Sequence, residues 1–265
     1  MNAGVSTLTG HLTIWQTVHM ADVRTGWLGY TWPGCRFRKE GNMNRDIIRR
    51  MVQVLSTLLV EAAILLGAAG TVRWNWAWVF LLLSVANLVI NLRVLPAELI
   101  EERGRKKEDA KSWDKTLTSL NVIPILLMYV CCGLDYRFNW SGSVPIAVNI
   151  AGLVVTFSGS MLFTWAMVSN KYFSTLVRLQ FDRQHAVASG GPYQYVRHPG
   201  YVGYIAMCLG TPIALGRLWG LAFGAITAVL FIVRTILEDN TLKEELPGYA
   251  QYADKVKYRL MPFVW

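Results

Sequence analysis

Between Gly190 and Gly203 the chain gathers an arginine, a histidine, two prolines, four glycines and three tyrosines at the head of an apolar segment. Crossing a bilayer does not call for such a sequence. Pro199 pushes His198 toward extended backbone. It also suits the first position of a following helix, where its missing N–H would have had no partner. A helix N-terminus there offers free N–H groups and a partial positive charge, which favour a bound carboxylate or phosphate. Gly200 and Gly203 permit close approach of a ligand or a neighbouring helix. The plainer alternative is a basic, aromatic anchor at the membrane interface.

Arg234 and Glu238 are four residues apart near the end of the last apolar run, so a helix puts them on one face. A simple helix salt bridge is the competing reading, although arginine before glutamate is its weaker orientation. The stretch from Asn170 to His185 mixes aromatic and polar side chains directly after an apolar run, as a site or an interfacial connector would. Glu61 lies inside the first apolar run, where a carboxylate faces protein or water. It either lines a pathway or pairs with Asn87 or Asn91.

The elements that must carry these residues are membrane helices. Of 265 residues, 53% are hydrophobic and 16% charged, with a mean hydropathy of +0.32. Soluble domains carry about 25% charged residues. About 20 apolar residues span a bilayer as a helix, and the candidates are 51–72, 76–95, 116–134 and 144–168, then the shorter 200–215 and 218–237. Gly216-Arg217 between the last two predicts a tight turn and a helical hairpin, with Pro212 able to kink its first arm. The hairpin returns Arg234 and Glu238 to the side where Pro199 begins. Trp74, Trp76, Trp78 and Trp140 suit an interfacial belt.

Basic residues cluster before the first helix (Arg45, Arg49, Arg50), after the second (Arg103 to Lys115), after the fourth (Lys171 to Arg197) and in the tail (Lys243 to Arg259). The intervening loops hold only Arg73, Arg137 and Arg217. This alternation predicts six crossings, with both termini and the polar sequence on the cytoplasmic side. The net charge of +9 then belongs to membrane-side loops and not to a nucleic-acid interface. The expected fold is an all-α integral membrane protein of about six transmembrane helices, with a C-terminal helical hairpin and a cytoplasmic cofactor pocket. Its parts are a poorly ordered extension over 1–42, transmembrane helices 1–4 over 43–168, and a catalytic region over 169–265. Met43 reads like a natural start. The four cysteines, Cys35, Cys131, Cys132 and Cys208, form neither a CxxC pair nor a disulfide ladder. No metalloprotease, phosphate-loop or nucleophile-elbow motif is present, and no metal is expected.

The motifs resemble those of the isoprenylcysteine carboxyl methyltransferase family and, more loosely, the phospholipid methyltransferases. The resemblance covers residues 170–265. It rests on Gly191-x-Tyr193-x-x-x-Arg197-His198-Pro199-x-Tyr201-x-Gly203, and on Arg234-x-x-x-Glu238 followed by Glu244-Glu245-Leu246-Pro247-Gly248-Tyr249-x-x-Tyr252. A weaker echo lies in Pro96 to Arg103 and Lys111 to Lys115. The resemblance implies S-adenosylmethionine as cofactor, bound by Gln180, His185, Ala186, Val187, Ala188, Tyr193, His198, Pro199, Gly200, Tyr201 and Glu238. It gives Arg234 the catalytic place facing the methyl acceptor, where a guanidinium fork suits a carboxylate. The implied activity is carboxyl O-methylation of a lipophilic small-molecule or lipid-modified substrate, with membrane lipids as further partners. A bacterial inner membrane is the expected location. A membrane NADPH-dependent reductase of the sterol-reductase type and a non-catalytic lipid-binding protein are the competing functions.

Overall fold

The structure is a computed structural model and describes residues 40–105 and 107–265. The expected extension over 1–42 falls outside the described residues except for its last three, which already lie in the first helix. Eight α-helices and three short 3-10 turns make up the described residues, with no strand among them. They are α1 (Glu40–Ala69), α2 (Asn75–Val94), α3 (Ala97–Gly104), α4 (Ser112–Phe138), α5 (Ile146–Ser169), α6 (Pro199–Ala214), α7 (Leu221–Glu245) and α8 (Tyr249–Lys255).

Proline sets several boundaries. Pro96 directly precedes α3, Pro145 precedes α5, and Pro199 is the first residue of α6. Each supplies a fixed φ where a helix starts and gives up a donor that would lack a partner there. Five segments are long and apolar enough to cross a membrane: Arg45–Ala69, Asn75–Val94, Ser112–Phe138, Ile146–Ser169 and Leu218–Glu245. Their outward faces carry exposed aliphatic residues such as Leu59 and Leu82. α6 has 16 residues, about 24 Å at the usual helical rise, and is shorter than the other five.

The expected hairpin is present. Gly216 adopts φ +66°, which a glycine takes without strain, and the Arg217 N–H donates to the Pro212 carbonyl at 2.9 Å. α6 packs between α5 and α7, and α4 packs on both α1 and α7. The α5–α6 contact is close enough that a Cβ on Gly203 would lie 2.4 Å from the Gly159 carbonyl oxygen. Small residues at such a seam let backbones meet where no hydrophobic force separates helix from lipid.

Three features differ from expectation. Trp74 is not an interfacial anchor: it is buried and stacks on Tyr136 at 4.6 Å between ring centroids, while Trp78 and Trp140 are exposed. Glu61 is buried against Tyr129 of α4. Asn87 and Asn91 accept instead from Ser160 and Thr164 of α5, at 2.9 and 3.0 Å. The short helices α3 and α8 had no signal in apolar periodicity, because each is under three turns long.

Candidate active site

The segment before α6 is extended and lies against the C-terminal tail. The Arg197 N–H donates to the Tyr258 carbonyl at 2.9 Å and the His198 N–H to the Arg259 carbonyl at 3.0 Å. The Arg197 side chain holds this arrangement from below. Its Nε and Nη2 donate to the two oxygens of Asp239 at 2.7 and 2.9 Å, and Nη1 to the carbonyls of Val256 and Lys257 at 2.7 and 2.8 Å. Burial alone would lower the Arg197 pKa, but the Asp239 carboxylate outweighs it and holds the guanidinium above its ordinary value.

Asp239 is fully buried and serves as a hub. It also accepts from Arg259 Nε and the Tyr249 hydroxyl, both at 3.0 Å, with Lys243 Nζ at 3.2 Å and His198 Nε2 at 3.4 Å. Buried carboxylates persist only when paired and hydrogen-bonded in this way. The hub fastens α7, α8, the tail and the start of α6 together, and so fixes Glu238 beside the head of α6.

Around that junction is a cavity of about 790 Å³, measured out to its open mouth. His185, Ala186, Val187 and Ala188 form one wall. Tyr193, His198, Gly200 and Tyr201 form another, and Arg234 and Glu238 close it from α7. The rings of His198 and Tyr201 stack at 5.6 Å. The Tyr201 hydroxyl donates to Glu238 Oε2. Glu238 makes no ion pair among the described residues, so its carboxylate remains available to a cation or hydroxyl donor in the cavity. Burial, then Arg178 and Arg183, pull the His185 imidazole down to about 4, so it is neutral at pH 7. Its Nδ1 accepts from the Gln180 N–H at 3.3 Å.

Two residues expected to touch a cofactor stand outside this lining: Pro199 and Gln180. Gln180 is fully buried. It donates to the Tyr172 carbonyl at 2.7 Å and accepts from Arg183 Nη1 at 2.8 Å, and its own carbonyl takes the His185 N–H at 3.2 Å. It shapes the loop that presents His185.

Arg234 does not pair with Glu238. Its Nε and Nη2 donate to Asp114 Oδ1 and Oδ2 at 2.7 and 2.9 Å, and Nη2 also reaches the Thr175 carbonyl at 3.1 Å. The guanidinium edge expected to grip an acceptor is therefore held by a protein carboxylate, and Nη1 is the nitrogen with no hydrogen bond among the described residues. Asp114 also accepts the Val177 N–H at 2.7 Å, which ties Asn170 to His185 onto α4. Asp114, Asp239, Tyr249 and Tyr252 all shape the site without having been singled out from the sequence. The two tyrosines stand in the tail motif, and Asp114 in the weaker echo of the second loop.

A second cavity, about 800 Å³, lies between α4, α5, α6 and α7. Phe173, Ser174, Tyr201 and Arg234 border both cavities. Its wall is mostly apolar but carries Arg103 and Arg234 with Thr118, Asn121, Ser174 and Thr175; Thr118, Asn121 and Ser174 each bury an oxygen with no partner among the described residues.

A family model described as phospholipid methyltransferase matches residues 148–247, which hold α6, α7 and the whole His198–Glu238 junction. A probable protein-S-isoprenylcysteine O-methyltransferase of Oryza sativa subsp. indica is 31% identical over 120 residues, 44% of this chain and 62% of its own. Protein-S-isoprenylcysteine O-methyltransferase of Schizosaccharomyces pombe is 35% identical over 101 residues, 37% of this chain and 43% of its own. Protein-S-isoprenylcysteine O-methyltransferase B of Arabidopsis thaliana is 28% identical over 116 residues, 43% and 58% of the two chains. The chain thus matches about six-tenths of the rice relative's length and less of the others. These relatives are eukaryotic and lend no support to the expected bacterial inner membrane. The resemblance to the isoprenylcysteine carboxyl methyltransferase family, carried by the motifs at 191–203 and 234–252, is shown over the C-terminal part of this chain.

Proposed function

We propose that this chain is an S-adenosylmethionine-dependent membrane methyltransferase that esterifies the carboxylate of a lipophilic acceptor, as an isoprenylcysteine bears. The observation that carries the reading is the meeting of the two cavities at Phe173, Ser174, Tyr201 and Arg234. The first is the more polar of the two and borders the loops; the second is the more apolar and lies among the membrane helices. A water-soluble cofactor and a lipid-dissolved acceptor would meet at that shared wall.

The residues of the first cavity fit the cofactor. Glu238 offers an unpaired carboxylate to an ammonium or to ribose hydroxyls. The Gly200 N–H, at the head of α6, has no carbonyl partner among the described residues and suits a carboxylate. Tyr193, Tyr249 and Tyr252 offer ring faces to a base or a sulfonium cation, and burial pushes the Tyr193 and Tyr249 phenols up, so both stay neutral. Bound there, S-adenosylmethionine supplies a methyl already activated by its sulfonium.

The protein's share is placement and exclusion of water. An acceptor carboxylate is ionised at neutral pH and needs no general base. Arg234, steadied by Asp114, keeps Nη1 at the junction to hold that carboxylate. Phe173 and Tyr201 line both cavities where they meet. In this reading α6 is a sixth crossing, and the basic loops put both the cofactor cavity and the tail on the cytoplasmic side.

The test is transfer from methyl-labelled S-adenosylmethionine to an S-prenylated N-acetylcysteine by the purified protein in lipid. Label released as methanol by mild alkali marks a methyl ester and supports the reading. Label stable to alkali, or no transfer to this acceptor or to a total lipid extract, overturns it.

A further inference from the structure

Glu102 and Arg103 are neighbours on α3 and face opposite ways. Glu102 turns to Arg178, 2.9 Å away, and to Lys107 and Arg183, at 3.5 and 3.6 Å. Arg103 turns inward, over the rings of Phe163 and Phe173 at 5.7 and 5.4 Å. Its Nη1 is buried with no hydrogen-bond partner, and it has no carboxylate partner among the described residues. Burial, and then the nearby Arg50, pull its pKa down to about 9. Arg50 on α1 also lacks a carboxylate partner among the described residues, because Asp46 pairs with Arg49 at 2.6 Å. The two arginines are brought together by Gly104: a Cβ there would lie 2.0 Å from the Asp46 carbonyl oxygen and 3.1 Å from the Arg50 Cβ.

Two unpaired guanidinium groups side by side are unfavourable unless an anion joins them. Both border a third cavity, about 860 Å³, between α1, α2 and α5. Away from the arginines it is largely apolar, with Val54 and Leu58 of α1 and Leu88 of α2 on its walls. Leu58 lies eight residues beyond Arg50, about 12 Å deeper at the helical rise. Of the polar side chains it meets, Ser160 donates to Asn87 and Thr164 to Asn91. The cavity thus has a doubly basic end and an apolar shaft, the charge pattern of a membrane amphiphile with an anionic head.

We propose that this groove is a binding site for an anionic phospholipid, with its phosphate between Arg50 and Arg103 and an acyl chain along α1 and α2 toward Leu58. Arg103 and Phe163 also line the second cavity, so the groove adjoins the acceptor side of the proposed reaction, yet its occupancy needs neither the cofactor nor the acceptor.

The test uses the full chain in detergent, stripped of lipid, with binding read by native mass spectrometry and by thermal unfolding. Phosphatidylglycerol should be retained about tenfold or more over phosphatidylcholine and should raise the melting temperature; inorganic phosphate and glycerol phosphate should do neither. Arg50→Gln and Arg103→Gln should each remove the preference for phosphatidylglycerol. Val54→Trp, which fills the shaft and keeps both arginines, should lower retention of the lipid. If Arg103→Gln does not fold, Arg50→Gln and Val54→Trp decide. Equal retention of the two lipids, a preference that survives Arg50→Gln, or binding of inorganic phosphate alone as tightly as the lipid would each overturn the proposal.

Discussion

Asp114 and Arg234 stand 120 residues apart in sequence and share a two-pronged ion pair, Nε to Oδ1 at 2.7 Å and Nη2 to Oδ2 at 2.9 Å. The pair joins the start of α4 to the last membrane helix at the wall shared by the first two cavities. It fixes the plane of the guanidinium and leaves Nη1 without a hydrogen bond among the described residues. Asp114 is fully buried, and removing one partner of such a pair costs about 3–5 kcal/mol.

Asp114→Asn should therefore lower stability by about 3 kcal/mol and loosen Arg234. Transfer to the acceptor should fall by about tenfold or more in kcat/KM, with cofactor affinity nearly unchanged. Paired unfolding and steady-state measurements check this. Wild-type kinetics in Asp114→Asn would remove the positioning role.

Arg234→Ala should abolish most turnover, by about a hundredfold or more, while S-adenosylmethionine still binds in calorimetry. The contrast matters because Arg234 borders both cavities. Loss of cofactor binding with intact acceptor binding would reverse its assignment.

Glu238→Gln should weaken cofactor affinity by about tenfold. The amide keeps the shape and can still accept from Tyr201, but it no longer attracts an ammonium. Calorimetry with S-adenosylmethionine reads the loss. NADPH should bind neither the wild type nor the variant.

Asp239→Asn should destabilise the whole junction, because Arg197 and Arg259 lose their carboxylate partner together. A loss of about 3–5 kcal/mol should appear with faster proteolysis of the tail around Tyr258. Arg197→Lys should recover little, since a single ammonium cannot replace a fork that reaches Asp239 and two carbonyls at once.

His185 makes the site acid-sensitive. Its folded pKa of about 4 lies below the ordinary value of about 6.5, so the unfolded chain binds a proton first as pH falls. Stability should drop as pH falls from about 6.5 toward 4, level off below that, and gain nothing above 6.5. His185→Asn should flatten this part of the profile in melting temperatures measured at pH 7 and 4.5.

Much of this architecture is legible in the sequence alone. Pro199 as a helix start, the Gly216 turn and the shared face of Arg234 and Glu238 follow from backbone sterics and helical spacing, which act over a few residues. Apolar run length gave the long helices for the same reason. The resemblance grouped His185 to Ala188 with Tyr193, His198, Gly200 and Tyr201, and these residues do line one cavity together.

The partners of the charged groups could not be read that way. Arg234 is four residues from one carboxylate and 120 from another, and the distant Asp114 holds it, because α4 packs on α7 and brings Asp114 to the face that carries Arg234. Asp239 adjoins Glu238, yet one is sealed among arginines and the other borders the cavity. Trp74 had the composition of an interfacial anchor and was buried by Tyr136, on a helix far along the chain. Residue order fixes which groups share a helix face. Which of them stay free for a ligand depends on where distant helices come to rest, since a buried charge takes whatever partner the packing brings within reach.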